Sequence, residues 1–260
     1  MPSINLYNKK EIKKSLRPVA IVKGDDDMKE FNQFVCVDSD ANKGEKSISL
    51  PDNLIFSPIT NANPRKRDIY YIAGASGSGK SYMCGMLINN YNKLHPDRPV
   101  YLISKLESDE TLDKYTFIER IGLQELVDNP FNINSMEEDC LFIFDDYDNA
   151  PKEQLQAVQT LIDEIAITGR HKNISMIVIS HYLTNYKSTR LVLNEAHYFV
   201  LYPQATSYHQ LRYTLMNYVG MDKEEVTALK KLNSRWTLIH KQFPQFVISQ
   251  HKAYLLNQEF

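Results

Sequence analysis

Eight consecutive residues, Gly74-Ala75-Ser76-Gly77-Ser78-Gly79-Lys80-Ser81, read G-x-x-x-x-G-K-S in full. The chemistry that this spacing serves is phosphate binding. Glycines let such a loop take backbone angles that other residues avoid, so successive N–H groups converge on phosphate oxygens. A helix opening at the end of the loop adds the positive end of its dipole. Lys80 would reach the β- and γ-phosphates as a point charge, and Ser81 would offer its hydroxyl to Mg2+. The motif requires a strand before it and a helix after it. Ile69–Ala73 is strand-like, and the stretch from Tyr82 to Tyr91 is amphipathic. The chain has only nine glycines, and three of them fall in this loop. The expected ligands are ATP and Mg2+, with the loop residues Gly74 to Ser81 around the phosphates.

A second run, Leu141-Phe142-Ile143-Phe144-Asp145-Asp146, is apolar and ends in two acids. A strand this apolar belongs in the centre of a sheet, and open α/β sheets bind ligands beyond the carboxyl ends of their strands. Asp145 is the candidate to hold Mg2+ through water. Asp146 is the candidate to orient or deprotonate the attacking water. Two like charges side by side raise one pKa, which suits a base. Asp148 reads as a turn or cap residue rather than a third ligand.

Two further residues flank the next apolar run, Ile174–Ser180. Arg170 stands before it and His181 just beyond it. At His181 a polar group could hydrogen-bond a γ-phosphate or a water, but a satisfied loop histidine fits the local sequence equally well. Arg170 taken alone is a helix C-terminal charge, stabilising by a few tenths of a kcal/mol. The second acid separates classes of chemistry. A GTPase would need a guanine-reading N-K-x-D, and His171-Lys172-Asn173-Ile174 is not one. A small-molecule kinase needs no water-activating acid and carries an Arg-rich lid, which residues 105 to 130 do not provide. Hydrolysis of ATP is favoured over transfer to a metabolite.

The elements that must carry these groups follow from the pattern. From residue 65, strand-like runs (Ile69–Ala73, Val100–Ser104, Leu141–Phe144, Ile174–Ser180) alternate with helical stretches (from Lys80, Leu112–Val127, Lys152–Thr168). Such alternation predicts an α/β fold with a central, mainly parallel sheet flanked by helices. In the Lys152–Thr168 helix, Leu155, Val158, Leu161, Ile162 and Ile165 share one face, and packing against the sheet accounts for that stripe. Further on come a strand at Tyr198–Tyr202, a helix near Tyr208–Tyr218, and a hairpin of Trp236–Lys241 with Gln245–Ser249. Val19–Val22, Phe34–Val37 and Leu54–Pro58 read as strands of a small β-rich module, residues 1–64, ahead of a nucleotide-binding domain, residues 65–260. The acidic stretch Gly24-Asp25-Asp26-Asp27 reads as a solvated turn.

Composition bounds the rest. The chain has 260 residues, 43% hydrophobic and 24% charged, with a net charge of -2. That is an ordinary globular balance with no global basic surface, so any grip on nucleic acid must be local. Cys36, Cys84 and Cys140 are far apart and fit neither a disulfide framework nor a zinc site. Apolar stretches are under about ten residues, too short to span a membrane. A soluble, intracellular protein is expected. Phe131 and Trp236 read as packing residues rather than base-stacking platforms.

The order of phosphate loop, strand ending Asp-Asp, Gly-Arg, strand and polar sensor resembles the FtsK–HerA superfamily of P-loop ATPases, which have an ASCE/RecA-like fold. Within it, Gly169-Arg170-His171-Lys172-Asn173-Ile174-Ser175-Met176-Ile177-Val178-Ile179-Ser180-His181 is most similar to the poxvirus-type genome-packaging ATPases of large DNA viruses and virophages. Arg190–Glu195 followed by Tyr198–Pro203 fits the same pattern. The likeness covers roughly residues 67 to 250. It departs from the family in having His181 for the usual Gln and Asp146 for the usual Glu.

The resemblance implies a motor that couples ATP hydrolysis to translocation of double-stranded DNA into a capsid. It implies a homo-oligomeric ring of about five or six subunits, capsid or portal proteins as partners, and a place in the host cytoplasm, the viral factory or the virion. It makes Lys80, Asp146, Arg170 and His181 catalytic and Ser81 and Asp145 metal-holding, with Arg170 reaching a neighbour's γ-phosphate. Lys105, Lys187, Arg190, Lys230 and Lys231 are candidates for DNA backbone contacts, and the Arg65-Lys66-Arg67 triplet reads as facing solvent. Two other readings stay open: a P-loop kinase of a nucleoside or other small metabolite, and an ATP-dependent assembly switch. A large-terminase reading is weaker, because only about 80 residues follow the sensor strand and no acidic nuclease domain is among them.

Overall fold

The computed structural model describes residues 2–24, 30–40, 44–185 and 187–256. The acidic turn read at Asp25-Asp26-Asp27 lies outside the described residues. Along the chain run β1 (Ser3–Asn8), β2 (Arg17–Gly24), β3 (Glu30–Asp38), β4 (Ser47–Ser49), β5 (Leu54–Pro58), β6 (Ile69–Ala73), α1 (Lys80–Leu94), β7 (Val100–Ser104), β8 (Ile118–Gly122) and α2 (Leu123–Asp128). There follow β9 (Leu141–Asp145), α3 (Lys152–Thr168), β10 (Ser175–Ser180), α4 (Arg190–Glu195), β11 (Tyr198–Leu201), α5 (Tyr208–Thr214), α6 (Lys223–Lys230), β12 (Thr237–His240), β13 (Phe246–Ser249) and β14 (Lys252–Leu255). The chain divides into two compact units, Asn63–His197 and Met1–Ala62 with Tyr198–Phe260.

The unit Asn63–His197 carries the phosphate-loop motif and both acids of the Asp145-Asp146 pair. Its sheet runs β6-β10-β9-β7-β8, and every neighbouring pair in it is parallel. β6, β9 and β10 are buried at every position, as strands covered on both faces must be. Their residues form near-continuous apolar runs for that reason. α1 packs on β6 and β10, α3 on β10, α4 on β6, and α2 against α3. On α3 the buried residues are Val158, Leu161, Ile162, Ile165 and Ala166, while Leu155 at the edge of the stripe is half-buried.

Two local readings change. The stretch Leu112–Val127 holds a strand, β8, before the short helix α2. Ile118-Glu119-Arg120-Ile121-Gly122 is an edge strand whose two isoleucines stand three apart, a spacing that also suits a helix, so pairing with β7 rather than local pattern makes it a strand. Arg67 does not simply face solvent. It is half-buried, donates to the carbonyls of Ile165 and Ala166, the latter at 2.7 Å, and so satisfies the C-terminal end of α3. A Cβ at Gly169 would sit 2.9 Å from Arg67 Nη1, which is why glycine stands where this arginine crosses.

In the other unit all strand pairs are antiparallel. One sheet has the order β1-β3-β2-β5, and the other strands run β4-β14-β13-β12-β11. The two ends of the chain interlock there. β14 pairs with β4, Leu50 N–H donates to His251 O at 2.7 Å, and Phe56 N–H donates to Gln250 O at 2.8 Å. Arg17 binds the ring of His240 at 3.1 Å and the hydroxyl of Tyr198. His240 is fully buried and stacks on Phe246. Residues 198–260 therefore complete a unit with residues 1–62. Read locally, the sequence groups residues 198–260 with the nucleotide-binding domain, because long-range antiparallel pairing leaves no local signature. The helix expected near Tyr208–Tyr218 begins as α5 and widens to a π-helical turn at Leu215–Val219. Trp236 is 5% exposed and packs in a core, while Phe131 is half-buried and packs on Tyr101 and Phe142.

The stripe on α3 carries a direct test. Ile162→Ala should cost about 2–5 kcal/mol in equilibrium denaturant unfolding. Ile167→Ala on the same helix, 58% exposed, should change stability by less than about 0.5 kcal/mol.

Candidate active site

The strand order brings the sequence-predicted groups together. β10 lies between β6, which feeds the phosphate loop, and β9, which ends in Asp145. All three strands are parallel, so their carboxyl ends share one edge of the sheet. The loop begins level with the end of β10, because Gly74 N–H donates to Ser180 O at 3.2 Å. It turns through Gly77 at φ 73° and Gly79 at φ 109°, both in the left-handed region that glycine tolerates. Gly79 is also the N-cap of α1. Ala75, Ser76 and Gly77 are exposed at the loop's tip.

Lys80 is 7% exposed and donates to Ala75 O at 3.2 Å. Its Nζ stands 3.4 Å from His181 Nδ1, and His181 Nε2 stands 3.4 Å from Asp146 Oδ1. Lysine, histidine and aspartate thus form a chain from the phosphate loop to the end of β9. Burial lowers the Lys80 pKa, and the charges of Asp145, Asp146 and Asp148 oppose that shift. Ser81 is half-buried on the first turn of α1, and its hydroxyl has no hydrogen bond to any described residue.

Asp145 is 3% exposed. Burial, and then the charge of Asp146, push its carboxyl up to about 7, while the Asp146 N–H, donated to Asp145 Oδ1 at 3.0 Å, pulls the other way. Asp146 has φ 50°, a left-handed conformation that aspartate tolerates better than most residues. Asp148 serves as a bracket for β10: its Oδ2 accepts from His181 N–H at 3.0 Å and from Ser180 Oγ at 3.3 Å. The turn-residue reading of Asp148 thus acquires a purpose, since it fixes the backbone of His181.

A third acid joins the pair, and sequence reasoning missed it. Asp109, Asp145 and Asp146 each present a carboxylate oxygen, and these lie within 4.8 Å of one another. An all-oxygen set suits a hard cation such as Mg2+, so these residues fit the metal that the phosphate loop calls for. The signal available in sequence was the position of Asp109, in the loop just past the carboxyl end of a sheet strand.

Arg170 is not part of this cluster. It lies in the 3-10 turn Gly169–Lys172, ahead of the amino end of β10, while His181 follows the carboxyl end. A six-residue strand spans about 20 Å. Arg170 is exposed, and its guanidinium has no hydrogen bond or ion pair with any described residue. Of the basic residues singled out in the sequence, Lys230 donates to the carbonyls of Pro203 and Thr206, and Lys105 donates to Asn149 O at 3.2 Å. Lys187 and Lys231 are exposed. Cys36, Cys84 and Cys140 are buried free thiols. No helix among the described residues is long and apolar enough to cross a membrane.

The raised pKa of Asp145 fixes the sign of a pH effect. The folded state binds this proton more tightly than the unfolded chain, whose aspartate titrates near 3.8. Stability of the metal-free protein is therefore lost as pH rises from about 4 to about 7, by at most about 1.4 kcal/mol per pH unit from this group. Thermal melts across pH 5–8 should show a steeper fall for the parent than for Asp145→Asn. Parallel curves would contradict the assignment.

No protein-family model matches the chain. It is 34% identical over 220 residues to protein V3 of the Sputnik virophage, an alignment covering 84% of this chain and 87% of V3. Among solved structures, the fold is similar to the pCW3 conjugation coupling protein TcpA bound to ATPγS, with a TM-score of 0.50 at 12% identity over 94% of this chain and 78% of that one. The genome packaging NTPase B204 from Sulfolobus turreted icosahedral virus 2 gives a TM-score of 0.47 at 16% identity over 73% of this chain and 97% of that one. The chain therefore belongs to the family of Sputnik virophage protein V3, and its α/β fold is similar to that of TcpA.

Proposed function

We propose that the protein is a viral DNA-packaging motor ATPase, which couples ATP hydrolysis to movement of double-stranded DNA into a capsid. The observation that carries the hydrolytic part is the chain Lys80–His181–Asp146 beside buried Asp145 at the edge of a parallel sheet. The motor part is supported by the family-like Arg170-to-His181 stretch and by membership of a virophage protein family. The fold shared with TcpA, a conjugation coupling protein solved with ATPγS, agrees with it.

In this reading the backbone of Gly74 to Gly79 and the ammonium of Lys80 bind the phosphates of ATP. Asp145 and Ser81 would hold Mg2+, which would supply positive charge against the phosphates. Asp146 takes the proton of the attacking water. His181 lies between Lys80 and Asp146 and holds both in register. Its imidazole changes with the state of the γ-phosphate next to Lys80, the role of a sensor.

Arg170 acts on a neighbouring subunit. It is some 20 Å of strand away from its own phosphate loop, exposed, and bonded to no described residue. A guanidinium brought to a neighbour's γ-phosphate would make each ATP site whole only in a ring. Double-stranded DNA would thread such a ring, and capsid or portal proteins would anchor it. Infected host cytoplasm, the viral factory or the virion is where such a motor works.

Three outcomes test this. Lys80→Ala should abolish ATP turnover, and Asp146→Asn should lower it about 10²–10⁴-fold while leaving ATP bound. Long duplex DNA should raise the ATPase rate of the parent. A rate indifferent to DNA would favour the assembly switch, and phosphorylation of a small acceptor with Asp146→Asn would favour a kinase. Arg170→Ala should bind ATP normally and turn over about 10³-fold more slowly. Mixing Arg170→Ala with Asp146→Asn subunits should restore part of the rate, because some interfaces then pair an intact Asp146 with an intact Arg170. No restoration would sink the trans-acting arginine.

A further inference from the structure

We infer that Asp109 supplies a carboxylate to the divalent-cation site opposite Asp145, with Asp146 beside them left to the water, so that the cation is held from two loops at the sheet edge and not from the end of β9 alone. This rests on the phosphate-binding reading of the site given above. Asp109 follows β7, the strand hydrogen-bonded to β9 on the side away from β10. Its carboxylate and those of Asp145 and Asp146 converge to within 4.8 Å.

The convergence is built rather than incidental. Asp109 Oδ1 accepts from Thr111 N–H at 2.6 Å and Leu112 N–H at 2.9 Å, and Asp109 N–H donates to Asp113 Oδ2 at 2.7 Å. Arg120 of β8 pairs with Asp113 and donates to Leu106 O at 2.9 Å, bracing the loop from the neighbouring strand. Tyr115 presses the same loop on α1 at Gly85, where an added Cβ would meet its hydroxyl at 2.9 Å. An ordered framework thus holds three like charges together. Each pair repels by about 1–4 kcal/mol at 4 Å, depending on the effective dielectric.

An independent observation points to a ligand between them. Asp145 is only 3% exposed, yet it accepts one hydrogen bond, from the N–H of Asp146. Neither Asp145 nor Asp109 makes an ion pair with a described residue. Lys80, whose charge acts on Asp145, directs its Nζ to Ala75 O and His181 Nδ1. The charge of Lys80 only partly offsets the burial of this carboxylate, whose pKa stays raised, and an oxygen-only set selects a hard divalent ion.

The probe is Mn2+ binding to the full chain, read from the free-ion electron paramagnetic resonance signal with no nucleotide present. Asp109→Asn keeps an acceptor for the Thr111 and Leu112 N–H groups and removes only the charge. It should weaken Mn2+ at least about tenfold and leave metal-free nucleotide binding, measured in chelator, unchanged. Asp113→Asn loosens the loop but leaves all three carboxylates, and it should weaken Mn2+ far less. Equal losses in the two variants would mean that loop order alone is being read, and the inference fails. If Asp145→Asn weakens Mn2+ and Asp109→Asn stays within about twofold of the parent, Asp109 is no ligand and the site reading survives. If neither variant weakens it, both readings fall.

Discussion

The hydrogen bonding of β10 to β6 on one side and β9 on the other is the constraint on which the site depends. Parallel strands end at one edge, so a residue after β10 must emerge between the phosphate loop and the acids of β9. His181 is that residue, and its two ring nitrogens face Lys80 and Asp146. Nothing about the imidazole itself selects this contact; strand order does. The apolar character of β6, β9 and β10 is what permits the order, because only strands buried on both faces occupy the middle of such a sheet. The same burial that builds the sheet strips water from Lys80 and Asp145. It lowers the basicity of one and raises that of the other.

Much of this was legible in the sequence, and the reasons are specific. Gly74–Ser81 announces itself because its spacing is a requirement of backbone geometry. Leu141–Asp146 does so because an apolar run ending in acids has few other uses. β8 was not legible: Ile118–Gly122 is short and sits at an edge, and its two isoleucines keep a helix-like spacing next to a helical stretch. The joining of residues 198–260 to residues 1–62 was hidden for another reason, since antiparallel partners such as β4 and β14 are some two hundred residues apart. Asp109 was missed because carboxylates in loops are common, and only the fold shows which one faces the others.

β10 also carries information along its length. Its amino end follows the turn that bears Arg170, and its carboxyl end leads into His181. Arg67 fastens the end of α3 just before that turn, and Gly169 leaves room for it to do so. The segment before Arg170 is thereby tied to the start of β6, whose far end is the phosphate loop. Both ends of the nucleotide-binding unit thus share the same pair of central strands.

The interlocking of the two chain ends has a consequence for synthesis. Residues 63–197 form a continuous unit and emerge from the ribosome complete. The strands of residues 1–62 emerge first, yet β4 has no partner until β14 has been made. At about 5–20 residues per second, their edges wait on the order of ten seconds or more. During that interval the nascent chain exposes unfinished sheet to its surroundings, and the unit translated second is the one free to fold first.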